Sequence, residues 1–341
     1  MARLSEIIRE QGKMPPMSGL VETTASGPFR SLDAPITSGT SKSSAQSVQS
    51  ERDWYCLAEE ELSRLAGSVR HHEPIRLEAL TGIATGIAES LQHNDHLIAR
   101  ALAGPAGSQL ITHPVNVAIL ATKLGLGLGY RLEELGRLAL AALVHDVGMF
   151  LLPESFLISP DKLSPEDNER IEQHPELGVQ VLSKLENTYA WLAQVVRQEH
   201  ERWRAQGYPN RLKGTEIHEY AQIIGIVDVF DALISPRPYR QRMLPHEAVR
   251  ELLLVEKNAF SHKLIKALVG QLSVFPLGTI VRLSTGEVGI VIQLNPRHPL
   301  RPIVQVRQTT DRTMPAASKP VDLSQTTQTH IVEALKPTAA G

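Results

Sequence analysis

Cysteine is almost missing from this chain: Cys56 is the only one in 341 residues. That excludes an intrachain disulfide and any cysteine-built zinc module. Aromatic side chains are scarce too, at 4% of the total. Leu, Ile, Val and Ala must therefore fill the core, a composition that suits helices better than a β-sandwich. Charge of either sign is not in surplus, with 35 Lys and Arg against 37 Asp and Glu. A nucleic-acid polymer is not an expected partner, because affinity for one rests on a basic excess. Long apolar runs are absent as well. Leu138–Val144 is the longest near the middle, far short of the ~20 residues a membrane helix needs, so membrane insertion is not expected. Met1–Pro16 carries Arg3, Glu6, Arg9, Glu10 and Lys13 with no hydrophobic stretch, which reads as no secretory signal. The expected setting is the reducing cytoplasm. What the chain does have in number is histidine, thirteen of them.

Four stretches differ in texture. Residues 1–53 include Ser18–Ser50, where thirteen of 33 positions are Ser or Thr and no apolar period runs. This arm cannot bury enough surface to offset its ordering entropy, so disorder is expected behind a short amphipathic start at Leu4, Ile7 and Ile8. Residues 54–96 form a helical segment, with Leu57, Leu62, Leu65, Val69 and then Leu77, Leu80, Ile83, Ile87, Leu91 at three- and four-residue spacing. Residues 97–274 continue helically through Val115–Leu128, Leu132–Val144 and Val179–Val196. Ser164-Pro165-Glu166-Asp167 reads as a helix start, Leu244-Pro245-His246-Glu247 as another, and Pro114 as a third. Residues 275–341 turn β-branched: Thr279–Leu283, Val288–Leu294 and Pro302–Arg307 read as strands, Ser284–Glu287 as a hairpin turn, Ile331–Leu335 as a short helix. The fold class expected is mainly α, a helical bundle followed by a small barrel-like β domain.

His145-Asp146 follows directly on the apolar run Leu138–Val144. A carboxylate on so apolar a helix is costly unless paired or bound to a cation. An isolated pair of this kind is more often a hydrogen-bonded core pair. Here it is not isolated: His174 lies 29 residues on, His200 another 26 and Asp228 another 28, roughly one helix plus one connection each time. One N or O ligand from each of several helices is how bundles build metal sites. Asp228 interrupts Ile223–Val227, Asp231 follows on the same face, and the segment offers no Lys or Arg. A metal accounts for the set better than a salt bridge.

Six motifs run in order: His145-Asp146-Val147-Gly148, His174-Pro175-Glu176-Leu177-Gly178, His200-Glu201, Gly207-Tyr208-Pro209, Asp228-Val229-Phe230-Asp231-Ala232 and Arg237-Pro238-Tyr239-Arg240. Over roughly Leu97–Val274 the chain resembles the HD-GYP group of the HD phosphohydrolase superfamily. The β-rich tail looks like the extension that follows this domain in some members. The resemblance implies an HD-type helical domain holding two divalent ions, iron or manganese, or only one. It implies hydrolysis of cyclic di-GMP by a metal-bound hydroxide, since a metal lowers the pKa of bound water from ~15.7 towards ~7. Carried over by position, His145, Asp146, His174, Glu199, His200, Asp228 and His113 are the implied metal ligands, with Asp146 bridging. Asp146 and Asp231 are the implied catalytic carboxylates. Tyr208, Arg237 and Arg240 are the implied substrate contacts, guanidinium forks suiting phosphate or guanine edges.

The chain departs from that pattern in places. Glu199 stands where the group carries the first histidine of His-His-Glu, and Met149 where it carries a lysine near the scissile phosphate. A carboxylate still binds a hard cation, with altered metal preference or the loss of one ion. A thioether supplies no charge, which commonly costs ~10²–10³ in rate. Gln109 stands four residues before His113 where three-metal members have Glu, so a third ion is not expected. Three readings follow: a cyclic di-GMP phosphodiesterase, a degenerate domain that binds the nucleotide or a signalling protein without turnover, and another HD-superfamily phosphohydrolase. The third leaves Gly207-Tyr208-Pro209 unexplained. A homodimer is compatible with each.

Overall fold

The structure, a computed structural model, describes residues 44–103, 108–153, 164–235, 242–254, 258–272, 275, 278–295, 298, 301–307, 320–326 and 328–335. Of the expected disordered arm, residues 1–43 lie outside this set, as do Arg237 and Arg240.

The first helix, α1, runs Ser44–Arg70 and so starts ten residues before the expected boundary at Trp54. It is followed by α2 (Glu78–His93), α3 (His96–Ala103), α4 (Gln109–Gly127) and α5 (Leu132–Val144). The buried positions of α2 are Leu80, Ile83, Ala84, Gly86, Ile87, Ala88 and Leu91, the three-and-four repeat read from the sequence. Each fully buried Leu or Ile contributes ~1.5–3 kcal/mol, and the stripes of these helices merge into one large core. α4 corrects a sequence expectation. Pro114 lies in its second turn rather than at its start, because Ser108 already accepts the first N–H bonds, from Ile111 and Thr112. α4 is long and apolar enough to cross a membrane by length and composition, yet 72% of its apolar window is buried within the protein, as in a core helix. It ends at Gly127, and Gly129 takes φ +84° just beyond, a conformation that suits glycine after a helix end.

After α5 come a 3₁₀ turn (Val147–Leu151), then α6 (Pro165–Ile171), α7 (His174–Leu182), α8 (Ala190–Gln198), α9 (Glu219–Ile234), α10 (Pro245–Leu254) and α11 (His262–Leu272). Ser164 caps α6 by accepting from Asp167 N–H at 3.0 Å. The stretch Val179–Val196, read as helical, is divided between α7 and α8 by a 3₁₀ turn at Asn187–Tyr189.

The C-terminal strands are β1 (Ile280–Leu283), β2 (Val288–Gln293), β3 (Ile303–Arg307), β4 (Pro320–Asp322) and β5 (Ile331–Leu335). All pairings are antiparallel, in the order β4-β3-β2-β1-β5. Ile331–Leu335, expected to be a helix, is the strand that pairs with β1, as its β-branched start favours. The sheet is open rather than barrel-like: β4 and β5 are its edges, and β4 is only three residues long. Its inner face gathers Val281, Leu283, Val291, Val304, Val306 and Leu323 into a small core of its own.

Candidate metal centre

The carboxyl end of α5 delivers the site. His145 is the residue just past α5, and Asp146 opens the 3₁₀ turn. The turn approaches α7 closely, because a Cβ added at Gly148 would overlap the carbonyl oxygen of His174. Glycine there is what allows Asp146 and His174 to meet. His113 comes from α4, His174 from the first position of α7, Glu199 and His200 from the end of α8, and Asp228 and Asp231 from α9.

All eight side chains converge. Asp146 Oδ1 lies 3.3 Å from His174 Nε2, while its Oδ2 lies 3.5 Å from His145 Nε2 and 4.0 Å from His113 Nε2. Glu199 Oε1 lies 2.8 Å from His200 Nε2 and 3.2 Å from His174 Nε2. Asp228 Oδ1 lies 3.0 Å from His113 Nε2. Among the described residues, two groups of atoms could hold a metal ion, one from Asp146, His174, Glu199 and His200, the other from His113, His145 and Asp146. Asp146 belongs to both.

Three imidazoles are held in one sense. Nδ1–H of His145 donates to the Ala142 carbonyl at 2.7 Å, and that of His174 to the Ile171 carbonyl at 2.6 Å. Nδ1–H of His113 donates to the Asp231 carboxylate at 2.6 Å. Each ring therefore turns Nε2 into the shared space, the orientation a metal-ligating histidine needs. Sequence reading missed these locks, since two of the acceptors are backbone carbonyls three residues earlier, which any residue provides.

Asp231 is expected to be a catalytic carboxylate, and the structure places it on α9 behind His113. Its side chain is fully buried, and Oδ2 accepts from His113 and, at 3.3 Å, from Ser235 Oγ. Its contact with the cluster is His113, Nδ1 to Oδ2 at 2.6 Å. Tyr208 stacks on His200, with ring centroids 4.6 Å apart and planes 20° from parallel. Met149 sits in the 3₁₀ turn at 9% exposure.

The electrostatics show how strongly this site demands cations. Burial disfavours a charged His113, yet the Asp228 and Asp231 carboxylates outweigh it and push the pKa up to about 10. Burial likewise acts against His174, but Glu199 and Asp146 raise it to about 9. Burial raises Glu199, and His200 with His174 overcome this to hold it at about 2. Asp228 is held far below the ordinary carboxylate range, His113 prevailing over burial. Burial, then the nearby Glu199 charge, raises the Tyr208 phenol, so it stays protonated. The raised His113 and His174 and the lowered Glu199 and Asp228 thus favour opposite charges on neighbouring groups.

A divalent ion fits these residues. Among the described residues, no group donates to the buried His145 Nε2 or Glu199 Oε2, an expensive arrangement unless a cation uses their lone pairs. Mixed imidazole and carboxylate ligands without thiolate suit such an ion. An open cavity of about 720 Å³ lined by Trp203, Ile217, His218, Phe260 and Lys263, among others, contains none of the cluster residues. Chemistry rather than cavity size marks the site.

The HD domain family matches residues 87–263, just over half of the chain. The chain belongs to the HD domain family. Residues 280–340 match a KOW domain associated with HD domains. The cyclic di-GMP phosphodiesterase PA4108 of Pseudomonas aeruginosa is 30% identical over 232 residues, 67% of this chain and 56% of that protein. The cyclic di-GMP phosphodiesterase response regulator RpfG of Xanthomonas campestris is 34% identical over 143 residues, 42% of this chain and 38% of that one. This HD chain thus spans about half the length of the first relative, or less for the second. Bd1817, a solved HDG"Y"P protein from Bdellovibrio bacteriovorus, superposes with a TM-score of 0.51 at 21% identity, over 64% of this chain and 69% of that chain. That likeness concerns the fold.

Proposed function

We propose that this HD-domain protein is a metal-dependent phosphodiesterase that opens cyclic di-GMP. The observation carrying the proposal is the convergence of three oriented imidazole Nε2 atoms on a carboxylate, Asp146, that serves both ligand groups. The relatives named for cyclic di-GMP hydrolysis support the choice of substrate.

In this reading one ion is held by Asp146, His174, Glu199 and His200, and a second by His113, His145, Asp146 and Asp228. Iron and manganese are the ions that this donor set suits best. Bound there, divalent ions activate water at neutral pH and offset charge building on the phosphodiester. The protein's own residues do the rest. Asp146 fixes the separation of the two ligand groups. Asp231 holds His113 by Nδ1, so that Nε2 keeps its direction through turnover. Tyr208 offers a ring face beside His200 for a base or ribose of the dinucleotide. Arg237 and Arg240 are proposed to neutralise its phosphates. The protein's division at 54, 97 and 275, with the helical 97–274 segment as the catalytic unit, belongs to the same reading, as does a reducing cytoplasmic setting.

Incubating protein reconstituted anaerobically with Mn²⁺ or Fe²⁺ with cyclic di-GMP, and separating products by chromatography, tests this. Linear dinucleotide or GMP is expected, and none from Asp146→Asn. Absence of both products with either metal overturns the enzymatic reading. Micromolar binding without turnover in that case makes the protein a nucleotide-binding module.

A further inference from the structure

Glu201 has no part in the metal ligand groups, yet it is 3% exposed and ionisable. No Lys, Arg or His forms a salt bridge with it among the described residues. Two backbone N–H groups satisfy it instead: Asn210 N–H donates to Oε1 at 2.6 Å and Leu212 N–H to Oε2 at 2.9 Å. Between those donors stands Arg211 with φ +56°, a left-handed conformation that is strained for a non-glycine residue. Alternate N–H groups flanking a left-handed residue form a concave anion site. Here the anion is the protein's own carboxylate.

The strained loop begins at Tyr208. Its N–H lies 3.3 Å from the His200 carbonyl, and a Cβ added at the preceding Gly207 would overlap that same oxygen. Tyr208 is thus pinned to His200 from one side, while Glu201 holds the loop from the other, two to four residues downstream. A carboxylate suits this task because it only accepts, whereas an amide would turn a donor towards one of the N–H groups.

We infer that Glu201 is a positioning residue for substrate binding, acting through the Asn210–Leu212 loop to keep Tyr208 stacked beside the metal centre. This rests on the reading of Tyr208 as a dinucleotide contact and goes beyond it in naming what holds the ring.

The test uses full-length protein labelled with 3-fluorotyrosine, with the Tyr208 signal assigned from its loss in Tyr208→Phe. In Glu201→Gln the Tyr208 fluorine resonance is expected to move towards its denatured position while Mn²⁺ content per chain stays at the wild-type value. The exposed-site variant Arg211→Val, which cannot hold the left-handed conformation, is expected to do the same without disturbing a buried group. Arg211→Gly is expected to leave the signal in place. With cyclic di-GMP, Glu201→Gln should raise KM ~10-fold with kcat changed less than ~3-fold. In a Tyr208→Ala background the same substitution should change KM less than ~2-fold, since coupled residues are non-additive. An unmoved resonance in both Glu201→Gln and Arg211→Val overturns the inference. So does simultaneous loss of metal and signal, which would make Glu201 a support for the whole site. If the wild type neither binds nor cleaves cyclic di-GMP, the functional proposal fails, and the fluorine signal still decides what Glu201 does.

Discussion

Nδ1 of His113 lies 2.6 Å from Oδ2 of Asp231, a bond made between α4 and α9 in the middle of the protein. It determines which edge of the imidazole looks into the metal centre. It also explains two carboxylates on one apolar helix that no Lys or Arg on that helix accompanies. Asp228 and Asp231 grip opposite nitrogens of the same ring, at 3.0 and 2.6 Å.

Replacing Asp231 by Asn keeps the size and removes the charge that holds Nδ1–H. Loss of such a partner typically weakens metal binding ~10–100-fold. Titration calorimetry with Mn²⁺ should show a fall in this range for Asp231→Asn, with secondary structure intact. Unchanged affinity would mean that His113 does not ligate.

Gly148 is where the 3₁₀ turn of the His-Asp motif meets the His174 carbonyl. A backbone oxygen cannot swing aside as a side-chain tip can, so Gly148→Ala must push the turn away from α7. Overpacking of this kind costs ~1–3 kcal/mol. Urea denaturation should report that loss, and Mn²⁺ content should drop with it, because Asp146 rides on the displaced turn. A normal metal content in a destabilised protein would separate the packing contact from the site.

The pH dependence of the metal-stripped protein has a definite shape. His113 and His174 keep their protons to about 10 and about 9 when folded, against 6.5 ordinarily. Their contribution to stability is complete below 6.5 and is lost as pH rises towards 9 and 10. Glu199 runs the other way, held at about 2 against 4.5. Its contribution is complete above 4.5 and disappears as pH falls towards 2. Urea midpoints should therefore peak between 4.5 and 6.5 and decline by pH 9. Saturating Mn²⁺ replaces the protons and should remove the alkaline decline. A flat metal-free profile from pH 7 to 9 would sink this account.

Much of this centre was legible because its ligands are side chains with strong chemistry at helical spacing. His145, His200 and Asp228 announce themselves by ending or interrupting apolar helices, and His174 by its spacing between them. The supporting contacts were not legible. The carbonyls of Ala142 and Ile171 belong to residues chosen for packing, and Glu201 reads in the sequence only as part of the His200-Glu201 motif, with nothing to say which backbone groups it accepts from. Pro114 misled because proline favours a helix start, yet earlier N–H groups had already found Ser108. Ile331–Leu335 misled because five apolar-rich residues carry no period long enough to separate strand from helix; pairing with β1 decides the matter.

Met149 offers the strongest test of catalytic power. The HD-GYP pattern places a lysine here, and a neutral histidine where this chain has Glu199. The centre consequently has one positive charge fewer and one negative charge more than that pattern. A phosphodiester and its transition state are anionic, so both changes weaken the stabilisation available to them. Met149 occupies the turn that starts at Asp146, its N–H bonded to the Asp146 carbonyl at 2.9 Å, so a longer cationic side chain begins beside the metal centre. Met149→Lys should raise kcat/KM for cyclic di-GMP ~10²-fold in Mn²⁺-loaded protein, the scale set by one well-placed charge. Met149→Gln, polar but neutral, should give no such gain. The ammonium is buried at a cost, which the neighbouring carboxylates offset, and the thermal midpoint should fall by only a few degrees. If both variants match the wild type at equal metal content, missing charge is not what limits this centre, and the carboxylate at position 199 becomes the substitution to reverse.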